Sequence, residues 1–280
     1  MSMAKVGAID LYYEEQGSGY PLLLIMGLAA DSQAWLFQVP ELAKHYRTIS
    51  FDNRGVGRSS KPGGPYAIDA MADEAAGLLD VLEIERAHVV GVSMGGMIAQ
   101  ELALRHPSRV RGLVLACTFP EPDAQIHHTR EQSLTELGGS VGPEGQVQLD
   151  VSKIDPMMVF QNLMPRVFTP AFLMADLPKL MQLFGGALQW GFSMEAILAQ
   201  VGATMGHHTT DRLHQIAAPT LVITGDADLL IPPANSDILA REIPNARLVK
   251  VPGGSHGFNF ETPELFNREV LSFLGTVDAG

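Results

Sequence analysis

A serine flanked by glycines is the feature of this 280-residue chain with the clearest chemical potential. The segment Gly91-Val92-Ser93-Met94-Gly95 follows an apolar run and precedes a stretch with helical periodicity. A serine in such a strand–turn–helix setting is lifted to the edge of a sheet, where the N–H groups of the helix favour a developing oxyanion. Glycines at both ends let neighbouring backbone pass close by. The pattern predicts a nucleophile, although G-x-S-x-G also arises by chance in a glycine-rich chain.

A serine hydroxyl is a weak nucleophile unless a base accepts its proton and a carboxylate orients that base. Two later loops contain candidates for these roles. Asp226 and Asp228 follow one apolar run, and His256 lies in the glycine-rich loop after the next run. The carboxyl ends of parallel strands share one edge of the sheet, where α/β proteins bind ligands. Serine, aspartate and histidine are therefore expected to meet there, with both aspartates open as the acid.

The other histidines and the single cysteine give weaker signals. His127-His128 and His207-His208 are adjacent pairs that do not share a helix face, and no ligand spacing accompanies them, so we expect surface or loop residues. Cys117 ends an apolar run and is expected to be buried. One cysteine excludes an intramolecular disulfide and a thiolate metal cluster. The sequence therefore predicts neither a metal nor a cofactor.

Composition narrows the class of protein and its partners. Hydrophobic residues make up 46% and charged residues 18% of the chain, which excludes intrinsic disorder. The formal charge of −12 argues against a partner nucleic acid, because phosphate binding needs a positive field. The start of the chain lacks a signal-peptide core, and no apolar run reaches the ~18 residues of a membrane span. We therefore expect a cytoplasmic protein with a small-molecule substrate and no membrane partner.

Short apolar runs alternate with helical stretches, and these elements must position the reactive residues. Nearly continuous apolar runs are typical of strands buried on both faces. Alternation of strands and helices predicts an α/β protein with a mostly parallel sheet. The opening segment at 9–13, followed by the turn at 17–19, predicts an antiparallel edge hairpin. The predicted parallel strands lie at 22–26, 48–51, 88–92, 112–116, 219–224 and 246–251, and the predicted helices at 71–82, 94–105, 238–243 and 265–274.

The alternation stops between residues 119 and 214, where no clear strand is visible. Only five charged residues lie between 154 and 205, while seven of the thirteen methionines fall there. The period is helical and is interrupted by prolines and glycines. We therefore predict a core of residues 1–118 and 215–280 with a helical insert at 119–214.

Three further motifs give the chain a family resemblance. Met26-Gly27-Leu28 follows one predicted strand, the segment 52–59 reads D-x-R-G-x-G-x-S, and Gly225, Asp228 and Pro232 form G-x-x-D-x-x-x-P. With the serine elbow, these motifs resemble the α/β-hydrolase superfamily over nearly the whole chain. The resemblance implies the α/β-hydrolase fold and selects Asp228 over Asp226 as the acid.

The same resemblance assigns roles around the predicted site. It implies that Ser93 attacks, that His256 transfers the proton and that Asp228 orients the imidazole. It places the oxyanion hole at the backbone N–H groups of Leu28 and Met94. It also implies that the insert forms a cap whose apolar inner face covers the site. Candidate lining residues in the insert are Met164, Phe168, Phe184, Trp190 and Met194.

Three residues of the core keep two interpretations each. Met26 stands where the family usually has histidine, and it either lines the pocket or packs under the loop. Trp35 is a pocket residue or a packing residue between insert and core. Arg54 either binds a substrate carboxylate or braces loops beside the site.

These residues together predict a cofactor-free serine hydrolase. Its substrates would be carboxylic esters, and lactones among them, of small to medium apolar compounds, cleaved through an acyl-enzyme. The resemblance includes carboxylesterases, aclacinomycin methylesterases and enol-lactonases. Three alternatives stay open: a carbon–carbon bond hydrolase, a haloperoxidase or perhydrolase on the same triad, and a non-catalytic receptor with the hydrolase fold. The natural substrate and the oligomeric state are left open.

Overall fold

A central sheet of eight strands organises the protein. The computed structural model describes residues 2–141, 147–150, 154, 156–175 and 193–280. A two-stranded sheet lies between the sixth and ninth strands of the chain. In chain order, the strands are β1 (Ser2–Val6), β2 (Ile9–Gln16), β3 (Pro21–Ile25), β4 (Arg47–Phe51), β5 (Ala87–Val92), β6 (Val110–Ala116), β7 (Ser140–Val141), β8 (Val147–Gln148), β9 (Thr220–Gly225) and β10 (Ala246–Val251).

The large sheet is mostly parallel, with the order β1-β2-β4-β3-β5-β6-β9-β10. Only the pairs β1–β2 and β2–β4 are antiparallel. Every residue of β5 and β9 is buried, because these central strands are covered on both faces. The predicted α/β class with a mostly parallel sheet is therefore confirmed.

The antiparallel edge differs from the predicted hairpin. β2 pairs with β1 across a turn at Gly7, and with β4 on its other side. The turn at 17–19 leads from β2 to β3, and these strands are not neighbours. β1 escaped prediction because Ala4 is its single buried residue, so it carries almost no apolar pattern.

Helices cover both faces of the large sheet. Alternate strand residues supply the two faces: Leu23 packs in one hydrophobic cluster with α2 and α3, and Leu22 in the other with α10. The predicted helix at 94–105 is found with those same ends. The helices are α1 (Val39–Leu42), α2 (Ile68–Val81), α3 (Met94–Arg105), α4 (Ala124–Glu136), α5 (Pro156–Val167), α6 (Pro170–Ala175), α7 (Met194–Met205), α8 (Ala234–Glu242), α9 (Phe258–Glu261) and α10 (Pro263–Ala279).

The segment between β6 and β9 contains α4 to α7. It also contains the short pair β7–β8, whereas no strand was predicted there. Each of these strands has only two residues, which is too short to show an alternation of apolar and polar residues in the sequence. The division into a core and a cap at 119–214 stays a prediction. Among the described residues, no helix has the length and apolar character needed to cross a membrane.

His207 and His208 lie in a loop just after α7, in agreement with the expectation of surface or loop residues, but only one of them is at the surface. His208 is exposed and pairs with Glu121, but His207 is only 3% exposed. The His207 ring packs 6.2 Å from that of Phe119, and neither ring nitrogen has a hydrogen-bond partner among the described residues. Burial, with smaller effects from Arg212 and His208, lowers the pKa of His207 to about 3.

This buried histidine predicts acid sensitivity. Between about pH 6.5 and pH 3 the unfolded chain binds a proton at His207 that the folded chain does not, so acid favours unfolding. From pH 7 to 5 we expect His207 to lower the free energy of unfolding by about 2 kcal/mol. Urea unfolding at the two pH values should show a loss that is about 2 kcal/mol smaller in His207→Phe than in the parent or in His208→Gln. An equal loss in His207→Phe would refute the assignment.

Candidate active site

Ser93 lies on a strained turn between β5 and α3. Its φ of 56° and ψ of −121° place a non-glycine residue in a region that costs energy and that is concentrated at functional sites. The flanking glycines allow this turn. A Cβ on Gly91 would lie 2.2 Å from the carbonyl oxygen of Gly95, and a Cβ on Gly95 would lie 2.0 Å from that of Ile25. The close approach holds α3 against β3 and fixes the serine at the end of the strand.

Replacing Gly95 by alanine tests this packing. The new Cβ would meet the rigid backbone of β3, so we expect a loss of at least about 3 kcal/mol of stability or no folded protein. Gly275→Ala is the matched control, because Gly275 is also helical and has no heavy atom within 4 Å of an added Cβ. That control should gain up to about 1 kcal/mol. Thermal unfolding measures both, and equal midpoints for the two variants would contradict the close approach.

Asp228 and His256 lie in the loops after β9 and β10 and form a buried pair. The Nδ1 atom of His256 is 2.8 Å from Oδ2 of Asp228. The other oxygen, Oδ1, accepts hydrogen bonds from the backbone N–H groups of Leu230 and Ile231, both at 2.8 Å. The carboxylate is thus held in one orientation by its own loop. Asp226 is exposed and accepts a hydrogen bond from Gly253 N–H at 2.6 Å, so it serves the loop and not the imidazole.

Loops from five strands converge at one edge of the sheet around Ser93. A Cβ on Gly27 would lie 3.1 Å from Cβ of Ser93, which shows how closely the loop after β3 packs against the serine. The N–H group of Ser93 donates to the last residue of β6 at 2.8 Å. The next residue, Cys117, has its sulfur within 4.8 Å of the side-chain ligand atoms of Asp228 and His256. This edge is the one at which the sequence predicts the reactive residues to meet.

Cys117, Asp228 and His256 also carry atoms that can bind metal ions. Metal ligation requires a thiolate, but burial raises the pKa of the Cys117 thiol well above its usual value. His256 already uses Nδ1 toward Asp228. The donor set therefore fits a hydrogen-bonded proton-transfer pair better than a metal site.

The two backbone groups assigned to the oxyanion hole flank the serine. Leu28 follows Gly27 in the loop after β3, and Met94 is the first residue of α3. Within the described part of the chain, neither N–H group donates a hydrogen bond to a protein acceptor. Free donors at a helix N-terminus can bind an anionic oxygen.

The residues proposed to line a pocket occupy three different places. Met164 and Phe168 are buried in an apolar cluster against which Phe260 of α9 packs. The ring of Phe168 lies against Gly257, the residue after His256, since a Cβ there would be 2.4 Å from the ring. Met194 begins α7 and is half-buried. Met26 and Trp35 are fully buried in the hydrophobic core, which favours the packing interpretation for both. The remaining two candidates, Phe184 and Trp190, lie outside the described residues.

Arg54, in the loop after β4, is engaged by protein groups. Its guanidinium donates two hydrogen bonds to the carboxylate of Glu74 in α2, and it lies 5.2 Å from the centre of the Tyr66 ring. Burial lowers the pKa of Arg54. A paired and stacked guanidinium fixes the loop that carries it, which favours the bracing interpretation over substrate binding.

Two buried amides near the site were missed by the sequence analysis. Asn53 donates from Nδ2 to the carbonyl oxygen of Met26 at 2.9 Å. Gln200 of α7 accepts from Ala29 N–H at 2.9 Å and donates to the carbonyl oxygen of Arg54 at 2.8 Å. The sequence offers only one indication of the role of Gln200, which is that it is an isolated amide in an otherwise apolar stretch of helix.

Comparison with known proteins places this arrangement in a family. Residues 20–148 match the family model of the alpha/beta hydrolase fold. A relative from Azorhizobium caulinodans, named as the carbamate hydrolase RutD, is 33% identical over 279 residues, which cover 99% of this chain and 100% of the relative. The chain belongs to the α/β-hydrolase superfamily, as the sequence resemblance indicated.

Solved structures agree with this assignment. A thermophilic esterase from Thermogutta terrifontis superposes with a TM-score of 0.83 at 27% identity, and 99% of each chain is covered. The enol-lactonase from Burkholderia xenovorans LB400 superposes with a TM-score of 0.80, also at 27% identity, with 98% of this chain and 100% of that chain covered. The protein is thus an α/β hydrolase whose fold extends over the full length of these relatives.

Proposed function

We propose that the protein is a serine hydrolase that cleaves carboxylic esters, including lactones, of small to medium apolar compounds. The observation that carries the proposal is the buried hydrogen bond between His256 and Asp228, at the same sheet edge as the strained Ser93. A histidine oriented by a carboxylate beside a serine elbow is the arrangement that activates a hydroxyl group. No cofactor is needed for this chemistry.

The proposed reaction follows from the placement of these groups. His256 accepts the proton of Ser93 as the hydroxyl oxygen attacks the ester carbonyl, and Asp228 stabilises the imidazolium. The N–H groups of Leu28 and Met94 bind the negative oxygen of the tetrahedral intermediate. His256 then protonates the leaving alcohol, and an acyl group remains on Ser93. In the second half, His256 removes a proton from water as the water oxygen attacks the acyl carbonyl. The bond from the acyl group to Oγ of Ser93 then breaks, His256 returns the proton to Oγ, and the acid is released.

An apolar substrate is supported by the residues next to the histidine. Phe168 packs against Gly257, and Met164 and Phe172 continue the same apolar cluster. Binding sites of this kind are mostly apolar with a few placed polar groups. The two structural neighbours described above are named as an esterase and an enol-lactonase, which act on the two kinds of bond proposed here.

Carbamates are the second candidate class, favoured by the full-length match to a relative named as a carbamate hydrolase. The same attack, oxyanion and proton transfers apply to a carbamate carbonyl. Nitrogen donates electrons into that carbonyl and makes it less electrophilic, so a carbamoyl-enzyme would form and break down more slowly than an acyl-enzyme. Turnover of an ester against that of the matched carbamate therefore separates the two classes.

A substrate panel with a covalent probe tests the proposal. The panel comprises p-nitrophenyl esters from acetyl to decanoyl, a matched p-nitrophenyl carbamate, lactones of several ring sizes and a meta-cleavage diketone. A fluorophosphonate should inactivate the protein and add its mass to the peptide that contains Ser93. Fastest turnover of an ester or a lactone supports the proposal. Preference for the diketone would instead indicate a carbon–carbon hydrolase, and absence of both turnover and labelling would favour a receptor.

A further inference from the structure

We propose that Gln200 is a positioning residue for the loop after β3, residues 26–29, which carries the Leu28 N–H and is here termed the oxyanion loop. This inference rests on the proposed function. Gln200 lies on α7, outside the sheet, and is completely buried. Its Oε1 atom accepts the N–H of Ala29 at 2.9 Å, and its Nε2 atom donates to the carbonyl oxygen of Arg54 at 2.8 Å. One amide therefore joins α7 to the loops after β3 and β4.

The contact at Ala29 bears on the proposed oxyanion donor. Ala29 has a φ of 63°, a left-handed conformation that costs a non-glycine residue about 1 kcal/mol and persists where surrounding contacts fix it. Its N–H belongs to the peptide plane that joins it to Leu28. The hydrogen bond to Gln200 fixes the orientation of this plane. The preceding plane, which carries the Leu28 N–H, is joined to it at the Leu28 Cα atom, so holding the one plane restricts the orientation of the other.

The second contact gives Gln200 a fixed support. The Arg54 carbonyl belongs to a loop that is itself held by the ion pair of the Arg54 side chain with Glu74. Asn53, the residue before Arg54, donates to the carbonyl oxygen of Met26. The oxyanion loop is thus held by two amides, one at Met26 and one at Ala29. Gln200 uses both a donor and an acceptor, which no apolar side chain of similar length supplies.

A residue with this role should affect the transition state more than substrate binding. The oxyanion exists only once the carbonyl has been attacked, so a misdirected Leu28 N–H weakens the tetrahedral intermediate and leaves the bound ester almost unchanged. A displacement of about 1 Å in a reacting group costs about 100-fold in rate. Loss of the Gln200 contacts should therefore lower kcat and leave KM near the parent value.

The first experiment compares two buried glutamines replaced by the near-isosteric methionine. Gln200→Met should lower kcat on the best ester by about 10- to 100-fold. Gln100→Met is the matched control, because Gln100 is equally buried and also makes two hydrogen bonds, to Phe119 O at 3.0 Å and from Thr209 Oγ1 at 2.7 Å. Those partners lie away from residues 27–29. The control should lose similar stability while its kcat stays within about twofold of the parent.

The second experiment uses Gln200→Glu and a pH profile. A protonated glutamate has one O–H donor and one carbonyl acceptor, the pattern of the amide, whereas the ionised form turns an acceptor toward the Arg54 carbonyl. Burial raises the pKa of such a carboxyl group. The ratio of variant kcat to parent kcat should therefore rise as pH falls through that pKa. Any effect of acid on the rest of the protein is common to both proteins and cancels in the ratio.

The outcomes separate the two proposals. A fall in kcat confined to Gln200→Met, with acid rescue of Gln200→Glu, supports the positioning role. Equal kcat values for Gln200→Met and Gln100→Met, with the parent active, would overturn the role of Gln200 and leave the serine hydrolase intact. A pH-independent ratio for Gln200→Glu would also overturn it. A parent that neither turns over the panel nor reacts with the fluorophosphonate would reject the proposed function, and the role of Gln200 with it.

Discussion

Replacing Ser93 by alanine is expected to lower kcat on the best ester about 10⁶-fold, with little change in KM. The variant removes the nucleophile and leaves the apolar surroundings that bind the substrate. Alanine fits the strained turn at least as well as serine does, so we expect the variant to fold like the parent. A residual acceleration over water is expected, because the oxyanion donors and the bound orientation of the ester persist.

Ser255→Ala is the matched control for this variant. Ser255 precedes His256, is buried, and within the described residues its hydroxyl group has no hydrogen-bond partner. The same atom is deleted beside the site, yet kcat should stay near that of the parent. Titration of active sites with the fluorophosphonate would show whether traces of the parent enzyme explain any remaining activity. Substantial turnover by Ser93→Ala without labelling would mean that another group attacks the ester.

The parts of the fold that the sequence predicted well are those buried on both faces. β5 and β9 are buried along their whole length, so they require continuous apolar runs, and such runs can be recognised in the amino-acid sequence. The ends of α3 could also be predicted from the sequence. The turn before the helix requires glycine at positions 91 and 95, and Pro107 follows its last turn. β1 was missed because it forms an exposed edge whose pairing, and not its side chains, defines it.

The candidate site divides in a similar way. Ser93, Asp228 and His256 follow strands, and parallel strands bring their carboxyl ends together wherever the helices lie. Gln200 depends instead on how α7 docks against loops more than 140 residues earlier in the chain, as its contact with Arg54 shows. His207 is buried by the same kind of tertiary contact, with Phe119. No local pattern encodes such contacts, so a lone polar residue is ambiguous until the packing is known.

The second large effect is expected for Asp228→Asn, which should lower kcat about 10⁴-fold near neutral pH. The loop that holds Asp228 determines how the new asparagine amide is oriented. Oδ1 of Asp228 accepts two backbone N–H groups, from Leu230 and Ile231, so the carbonyl oxygen of the new asparagine must take that place. Its NH₂ group then faces Nδ1 of His256, where Oδ2 is now. The imidazole must accept at Nδ1 and carry its proton at Nε2, and in that tautomer it cannot take the proton of Ser93.

Asp226→Asn is the control that decides which aspartate is the acid. Asp226 is exposed, and among the described residues its carboxylate bonds only the backbone N–H of Gly253, a contact that the asparagine carbonyl keeps. Its kcat should stay within a few-fold of the parent, and a 10⁴-fold loss in this variant with a nearly normal Asp228→Asn would reverse the assignment. Asparagine is the informative replacement at both positions. Alanine at 228 would also leave the Leu230 and Ile231 N–H groups unpaired, at about 1–3 kcal/mol each, so a fall in rate would mix loss of the proton-transfer pair with collapse of the loop.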